Sequence, residues 1–257
     1  MSAETIVLIT GANQGLGFHT ARELLLLPKH HVIVGSRRPS SGDAAVEALR
    51  AVPGIQGTVS TVALDVTDPR SIATAKSHIE TTFQRLDVLV NNAGIFMVPK
   101  DISPSGESSM VNDRALQHIF ATNVVGVASV TEALLPLLRR STLRPRLVFV
   151  SSSMASFTYN SDPRSPHGGS FAVEYRASKA AMNMLLLEYH MSQPDMTVIG
   201  ADPGFCATEV TGEGADAMRA QGAAEPEVGG RVIASIAKGD KDNLPGRVHS
   251  AQGVVPW

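Results

Sequence analysis

The sequence predicts an α/β fold, a doubly wound parallel sheet with helices on both faces in a three-layer αβα arrangement. Short apolar runs of strand length alternate with helical patterns along the chain, which favours parallel strands joined by crossover helices. The first apolar run leads into a glycine-rich turn that opens a helix. Several later strands end in polar segments, and parallel sheets bind ligands beyond the carboxyl ends of their strands. Together these observations predict a Rossmann fold.

The composition is typical of one soluble globular domain covering residues 1–257. The chain is 43% hydrophobic and 18% charged, and it has no internal repeat or linker. A formal net charge of −2 gives no indication of a nucleic-acid or membrane partner. The single cysteine, Cys206, cannot form an internal disulfide, no signal peptide is recognisable, and no stretch approaches the ~18 apolar residues of a membrane span. We therefore expect a cytoplasmic protein.

The N-terminal segment predicts a phosphate-binding turn. Residues Thr5–Thr10 form a continuous apolar run, as in a strand covered on both faces, and a helical pattern follows at 18–27. Between them lie Gly11, Gly15 and Gly17, whose lack of side chains lets the backbone approach a pyrophosphate at the helix N-terminus. The spacing Gly-x-x-x-Gly-x-Gly differs from the usual dinucleotide fingerprint Gly-x-Gly-x-x-Gly.

The end of the second predicted strand, 31–36, bears on the choice of cofactor. In dinucleotide folds an acidic residue about 20 positions beyond the glycines binds the ribose 2′-hydroxyl, whereas an arginine accommodates a 2′-phosphate. Here Ser36 occupies that place and Arg37 follows it. The missing acid and the adjacent arginine favour NADP(H) over NAD(H); the alternative is a surface turn with solvated arginines.

The remaining segments continue the alternation. Strands are predicted at 59–64, 86–90, 147–150 and 197–201, with an edge strand at 246–250. Helices are predicted at 69–83, at 111–138, around Tyr175 as far as Met191, and at 227–238. Segments 99–109, 154–172 and 209–221 predict irregular loops, and the last is expected to be mobile, as an active-site lid is.

Tyr175 and Lys179 are four residues apart and so lie on one face of a predicted helix. A nearby ammonium group favours the phenolate, which would bring the pKa of Tyr175 down from about 10 towards neutral pH. An isolated match to this spacing is better explained by a solvated helix face.

Seven motifs extend over nearly the whole chain and change that balance. They are Thr10-Gly-x-x-x-Gly-x-Gly17, Asp65, Asn91-Asn-Ala-Gly94, Asn123, the serine after the fifth strand, Tyr175-x-x-x-Lys179, and Pro203-Gly204 followed by Thr208. In this order they resemble the short-chain dehydrogenase/reductase family in its single-domain form. The turn sequence Gly-Ala-Asn-Gln-Gly-Leu-Gly-Phe further resembles that of carbonyl-reductase-like members.

The resemblance implies roles for four catalytic residues. Tyr175 would be the acid that protonates a carbonyl oxygen in reduction, or the base in alcohol oxidation, and Lys179 would lower its pKa and bind the nicotinamide ribose. Ser152, chosen over Ser151 and Ser153 from the strand that precedes it, would polarise the carbonyl. Asn123 would position a water that leads from Lys179 to solvent.

The resemblance also implies an NADP(H) site. Asp65 and the backbone of Val66 would bind adenine, Asn92, Ala93 and Gly94 would border the adenosine ribose, and Pro203, Gly204 and Thr208 would hold the nicotinamide. The phosphates and their surroundings are assigned to Gly11, Asn13, Gln14, Gly15, Leu16, Gly17 and Arg37. No metal ligand is predicted.

Three departures from the family pattern stand out. Ser152 and Tyr175 are 23 residues apart where many members have about a dozen, so the loop 154–172 is enlarged and would either line the substrate pocket or block a subunit interface. Gln14 stands where some NADP-preferring relatives carry a basic residue. Cys206 replaces a usual aliphatic residue and is interpreted as a small packing side chain.

The predicted function is an NADPH-dependent reductase of a ketone or aldehyde, reversible as an alcohol oxidation. Its partner would be a small-molecule carbonyl or alcohol bound by loops near 96–109, 154–172 and 205–221, and the family implies a homodimer or homotetramer. The alternative is a non-catalytic NADP-sensing regulatory protein on the same fold. A zinc alcohol dehydrogenase is disfavoured because the histidines and the one cysteine form no ligand pattern, and an epimerase would usually need a further C-terminal domain.

Overall fold

The computed structural model describes residues 4–98, 110–209 and 214–257, and the predicted loop 99–109 lies outside them. Eight strands form a single sheet in the order β3-β2-β1-β4-β5-β6-β7-β8, in which β1 to β7 are parallel and β8 is antiparallel to β7. The strands are β1 (Thr5–Thr10), β2 (His30–Ser36), β3 (Thr58–Ala63), β4 (Val88–Asn91), β5 (Arg146–Val150), β6 (Thr197–Ala201), β7 (Val248–Ser250) and β8 (Gly253–Val255).

Helices cover both faces of this sheet, because the strand residues are apolar on both faces. Val7 and Val90 pack into the core on one face, whereas their neighbours Leu8 and Leu89 pack into the core on the other. The helices are α1 (Gly15–Leu25), α2 (Pro39–Arg50), α3 (Pro69–Phe83), α4 (Asp113–Phe120), α5 (Val127–Leu138), α6 (Phe157–Ser161), α7 (Val173–Ser192), α8 (Ala215–Ala220) and α9 (Pro226–Ala237). The predicted three-layer αβα architecture is confirmed.

The strand order reverses at the centre of the sheet, where β1 lies between β2 and β4. In open α/β sheets such a reversal leaves a crevice at the carboxyl ends of the two strands, and ligands bind there. The glycine-rich turn after β1 and Asn92 after β4 both lie at this edge.

Some elements differ from the sequence predictions. The predictions assign no element to residues 39–50, where α2 forms with Pro39 at its first turn and with Ala45, Val46 and Leu49 buried. β8 and α6 are likewise unpredicted, so the segment 154–172 is irregular only in part. The expected mobile lid at 209–221 contains α8, whose Met218 is buried; residues 210–213 lie outside the described part of the chain.

One helical region, Asp113–Leu138, has the length and hydropathy of a membrane span. This finding corrects the expectation that no stretch of the chain approaches the length and hydropathy of a span. Half of the most apolar part of this region is buried within the fold, and Val130, Leu134 and Leu138 pack in the core. These contacts are those of a core helix.

Candidate active site

The glycine-rich turn closes tightly on the loop after β4. Gly11 has a φ of +64° and Gly15 a φ of +55°, both in the left-handed region that favours glycine. A Cβ at Gly17 would lie 2.6 Å from the Asn92 Nδ2 and 2.8 Å from the Cα of Ala12, so no larger residue fits there. Gln14, the N-cap residue of α1, makes no side-chain capping hydrogen bond. The first amides of α1 therefore lack a side-chain cap and suit a phosphate.

Thr10 and Asn92 hold the two loops together. The amides of Asn92 and Ala93 both donate to the Thr10 Oγ1, at 3.0 and 2.9 Å. The Asn92 side chain donates in return to the Thr10 carbonyl at 2.8 Å and to the Gly11 carbonyl at 3.3 Å. The predicted cofactor residues Gly11, Asn92 and Ala93 are thus brought together, although the Asn92 amide group is engaged with the turn itself.

The turn also meets the segment after β6 and helix α9. A Cβ at Gly15 would contact the methyl group of Thr208 at 3.7 Å, and one at Gly229 would lie 2.6 Å from Leu16. Asn13 is half-buried and Gln14 is exposed. The structure therefore brings Gly15 next to Thr208 and packs Leu16 of the turn against α9.

Tyr175 lies on α7, and its phenol is close to the hydroxyl of Ser152, which follows β5. The Phe96 ring packs against the Tyr175 ring with centroids 4.6 Å apart. Ser152 also accepts a hydrogen bond from the Met154 amide at 3.1 Å, which fixes its hydroxyl at the start of the next turn. The two groups assigned to one substrate oxygen therefore lie close together.

The pKa of Tyr175 is raised above its ordinary value, and this corrects the expectation of a phenol that titrates near neutral pH. Burial has the largest effect, because it disfavours the phenolate, and the negative charge of Asp202 adds to it. The hydrogen bond with Ser152 acts in the opposite direction but is outweighed. At neutral pH Tyr175 is therefore a protonated phenol.

Lys179 is buried and directed towards the sheet. Its ammonium donates to the Val150 carbonyl at 2.7 Å and lies 5.7 Å from the centre of the Tyr175 ring. Burial lowers the pKa of Lys179 to about 8, while the charge of Asp202 opposes that shift. Lys179 is thus largely a cation at neutral pH and is near the phenol ring.

Asn123 sits in a π-helical turn, Ala121–Gly126, that separates α4 from α5. The sequence predicts one uninterrupted helix here; the structure widens it at the residue singled out for its poor helix propensity. The fully buried Asn123 exchanges two hydrogen bonds with the backbone of Ile95, at 2.8 and 2.9 Å, and donates to the Ser178 hydroxyl at 3.0 Å.

Gly94 connects Asn123 to the lysine. A Cβ at Gly94 would lie 3.3 Å from the Asn123 Oδ1 and 3.6 Å from the Lys179 Nζ, so both polar groups border the same glycine. The four assigned catalytic residues, Asn123, Ser152, Tyr175 and Lys179, are accordingly gathered around the carboxyl ends of β4 and β5.

The residues assigned to the adenosine end lie along β2 and β3. Ser36 is buried at the end of β2 and donates to the Arg38 carbonyl at 2.9 Å, while Arg37 is exposed. Asp65 accepts from the amide and the hydroxyl of Thr67, at 2.9 and 2.7 Å. Val66 is buried under the π-helical turn, where a Cβ at Gly126 would lie 2.8 Å from its carbonyl oxygen.

The segment after β6 carries Pro203, Gly204 and Cys206. Gly204 has a φ of +78°, and a Cβ there would meet no atom within 4 Å, so its backbone borders open space. Cys206 is buried, and burial raises the pKa of its thiol. Its backbone pairs with that of Ala224 in an isolated parallel β-bridge, which anchors the segment. These properties match a packing side chain.

The enlarged segment 154–172 is tied to the catalytic helix by Arg176. The Arg176 guanidinium donates to the carbonyls of His167 and Gly169, at 3.1 and 2.6 Å, and lies 4.7 Å over the Phe171 ring. The His167 ring in turn meets the Ser153 hydroxyl at 3.0 Å, next to Ser152. The segment therefore borders the site. Arg176 and His167 were not among the predicted site residues.

Asp202 also borders the candidate site, although it was not among the predicted site residues. It immediately follows β6, is 4% exposed, and its charge reaches both Tyr175 and Lys179. An acidic residue at the carboxyl end of a buried parallel strand was a usable signal, because such an end faces the ligand crevice.

Comparison with known proteins decides the family. The family model for the short chain dehydrogenase matches residues 5–219. The chain belongs to the short-chain dehydrogenase/reductase family. It is 33% identical to the short-chain dehydrogenase/reductase tropE of Talaromyces stipitatus, over 99% of this chain and 98% of that protein. It is 32% identical to the short-chain dehydrogenase/reductase eupG of a Phoma species, over 98% and 97% of the two chains.

Solved structures of short-chain dehydrogenase/reductase proteins share the fold. Salutaridine reductase from Papaver somniferum superimposes with a TM-score of 0.74 and 27% identity, covering 95% of this chain and 99% of that one. An NADPH-bound carbonyl reductase from chicken fatty liver gives a TM-score of 0.77 at 21% identity over 100% of both chains. The predicted family and Rossmann fold are confirmed, and the chain is an oxidoreductase of a family that binds nicotinamide cofactors and acts on small molecules.

Proposed function

We propose that this short-chain dehydrogenase/reductase is an NADPH-dependent reductase of a ketone or aldehyde, with Tyr175 as general acid. The main support for the proposal is that the Tyr175 phenol lies close to the Ser152 hydroxyl and to the Lys179 ammonium at the carboxyl edge of the sheet. One substrate oxygen could be bound by both hydroxyls. The 27% identical salutaridine reductase carries the same direction of reaction in its name.

The residues present fit a dinucleotide. Gly11 and Gly15 have positive φ values, and the start of α1 has no side-chain cap. The backbone amides of this turn can therefore bind a pyrophosphate. The backbone at Gly204 borders open space at the nicotinamide end. The cofactor supplies the hydride when it is bound. The remaining assignments are those of the sequence analysis: Asp65 and Val66 at adenine, Asn92, Ala93 and Gly94 at the ribose, Pro203 and Thr208 at the nicotinamide, and Asn13, Gln14, Leu16 and Gly17 around the phosphates.

The protonation state of Tyr175 at neutral pH suits the role of general acid. The phenol is protonated and can donate to a carbonyl oxygen, whereas alcohol oxidation needs the phenolate, which the raised pKa disfavours. Ser152 would donate its hydroxyl hydrogen to the same oxygen and so stabilise the developing alkoxide.

Lys179 would stabilise the charge of the phenol, and Asn123 would hold the neighbouring backbone in place. The cationic Lys179 stabilises negative charge that forms when Tyr175 gives up its proton. Asn123 holds the Ile95 backbone and the Ser178 hydroxyl, and Ser178 itself donates to the Tyr175 carbonyl at 2.7 Å. In this account Asn123 fixes the start of the catalytic helix as well as the loop after β4.

The preference for NADPH rests on the end of β2. Ser36 offers no carboxylate to a ribose 2′-hydroxyl, and the exposed Arg37 next to it can accommodate a 2′-phosphate. The Ser36 hydroxyl is engaged with the Arg38 carbonyl, so Arg37 is the proposed reader of the phosphate.

We propose that the described parts of the substrate segments border this centre within a single domain, 1–257. The contacts of Arg176 and His167 favour a pocket-lining role for 154–172, and the anchored stretch after Cys206 would form the opposite wall of the pocket. We propose that the substrate is a small carbonyl compound or the corresponding alcohol, and that the enzyme acts in the cytoplasm.

A steady-state assay of NADPH oxidation with a panel of ketones and aldehydes, beside a binding titration with NADPH, tests the proposal. We expect NADPH consumption that depends on the carbonyl compound, with NADH used less efficiently. Tight binding of NADPH without turnover of any member of the panel would instead support the NADP-sensing regulatory protein.

A further inference from the structure

The buried carboxylate of Asp202 joins the two loops that carry the proposed machinery. Its Oδ2 accepts from the Ser153 amide at 3.1 Å, and its Oδ1 accepts from the Gly204 amide at 3.0 Å. Ser153 follows Ser152 after β5, whereas Gly204, which is proposed to hold the nicotinamide, follows β6. The Asp202 amide donates to the His249 carbonyl at 2.8 Å, which extends the connection to β7.

We propose that Asp202 is a positioning residue, which fixes the loop of Ser152 against the loop of Gly204 and whose negative charge acts on Lys179. Both carboxylate oxygens are used by backbone amides from different loops, so the side chain acts as a bridge. A carboxylate that is 4% exposed keeps most of its electrostatic influence, because little water is present to screen it.

The groups around Asp202 identify what its charge acts on. From α7 the facing groups are Tyr175 and Lys179, and the charge raises the pKa of both. In its own loop the same charge raises the pKa of Cys206. From the enlarged segment, the His167 ring contacts the Ser153 hydroxyl. From β7, His249 accepts through its carbonyl, while its ring bonds to the Leu244 carbonyl at 2.9 Å.

The consequence for chemistry is a phenol that stays protonated and an ammonium that stays charged. Burial alone would push the pKa of Lys179 further below its ordinary value, and Asp202 offsets part of that shift. Without the carboxylate both pKa values fall, so the alkaline limit of the proposed reduction moves to lower pH.

A titration of Lys179 by NMR of its side-chain carbon tests the charge without any assay of activity. The signal is assigned by its loss in Lys179→Met. In the parent we expect a midpoint near 8, and in Asp202→Asn a midpoint lower by about one unit. Asp202→Glu, which keeps a carboxylate, should hold the parent midpoint. An unchanged midpoint in the folded Asp202→Asn variant would overturn the proposal.

Asp87 provides the matched control. Its carboxylate is also buried and accepts from a backbone amide, that of Ile6 at 2.8 Å, but it lies at the opposite, amino end of the sheet. Asp87→Asn should lower thermal stability without moving the Lys179 midpoint. If Asp202→Asn does not fold, Asp202→Ser serves as the second neutral variant, because its hydroxyl can accept from one of the two amides.

The bridge itself is tested by kinetics and rests on the proposed function. Asp202→Asn replaces one accepting oxygen with an NH2 group, so one bridging hydrogen bond is lost and kcat should fall about tenfold, with the alkaline limb at lower pH. A variant with the parent kcat would overturn the bridge. If the parent shows no turnover, the proposed function fails, and the Lys179 titration still decides whether Asp202 holds its charge against the lysine.

Discussion

At Tyr175, burial and hydrogen bonding act on the phenol in opposite directions. The motif predicts a lysine that makes the phenol more acidic, but burial and the charge of Asp202 outweigh the favourable contact with Ser152. The spacing of Tyr175 and Lys179 along a helix could be predicted because it is local. The balance of charges could not, because Asp202 comes from a distant segment.

Arg37 is the residue on which the choice of cofactor depends. Arg37→Ala removes the proposed ligand of the 2′-phosphate and should raise the KM for NADPH about tenfold, the value of one hydrogen bond to a charged group. The KM for NADH should stay near the parent value. Steady-state kinetics with both cofactors measure this, and Arg38→Ala is the matched control. Equal effects of Arg37→Ala on both cofactors would contradict the assignment.

The buried Lys179 makes stability depend on pH. The pKa of Lys179 is about 8 in the folded protein against 10.5 for an unperturbed lysine. Between these values the unfolded chain holds more protons, so raising the pH favours the folded state, by up to about 3 kcal/mol for this group.

Denaturant unfolding of the parent and of Lys179→Met at several pH values measures this contribution. The free energy of unfolding of the parent should rise relative to that of the variant as the pH increases from about 8 to 10.5. A difference between the two proteins that is constant over this range would show that Lys179 keeps an ordinary pKa.

At the scale of elements, the sequence predicted those with strong local signals. β1, α3 and β6 form at the predicted bounds, since local sequence signals specify them. In the structure Asp68 is the N-cap of α3, and its side chain accepts from the Arg70 amide, a local contact that fixes where the helix begins.

The elements that were missed depend on packing. α2 begins Pro-Ser-Ser-Gly, a sequence typical of a turn, yet its buried Val46 and Leu49 hold it on the sheet. The π-helical turn at Asn123 forms where the side chain bonds to the Ile95 backbone and to Ser178, which are remote in sequence. Neither contact is readable from a helical pattern.

Arg176 is predicted to control the order of the enlarged segment 154–172. Arg176→Ala removes hydrogen bonds to the carbonyls of His167 and Gly169, so the segment should open more often. Limited proteolysis should cleave it at least tenfold faster, because losing even one of these two hydrogen bonds has about that effect.

Arg164→Ala is the control for this experiment. Arg164 belongs to the same segment, but its side chain is 91% exposed and pairs only locally with Asp162. Its removal should leave the rate of cleavage unchanged. Equal cleavage of the parent and of Arg176→Ala would show that the segment is held by other contacts.

At the scale of the molecule, the parallel sheet brings segments that are distant in the chain to one edge. The sequence was sufficient to predict this, because alternating strands and helices allow few other arrangements. It did not predict β8, a three-residue strand whose pairing with β7 follows a short turn. The candidate site was predicted as a set of residues; its hydrogen bonds required the fold.

The outer face of α7 bears on assembly. Met184 and Met191 are seven residues apart on this helix, so they share a face, and both are more than half exposed. If the family's homodimer or homotetramer forms through this face, replacing both with lysine should reduce the mass in solution to that of a monomer.

Light scattering measures that mass. Val228→Lys on α9, which packs on the other side of the sheet, should leave the oligomer intact. A monomeric parent would instead agree with an enlarged segment 154–172 that blocks association.

A comparison of Tyr175→Phe with Tyr189→Phe tests directly whether the Tyr175 phenol is the general acid. Both tyrosines lie on α7, but the Tyr189 hydroxyl donates to Glu132 at 2.7 Å, away from the candidate site. With NADPH and a carbonyl substrate, loss of the Tyr175 hydroxyl should lower kcat about 10²- to 10⁴-fold, while Tyr189→Phe keeps the parent rate. A Tyr175→Phe protein that folds and turns over at the parent rate would contradict the account.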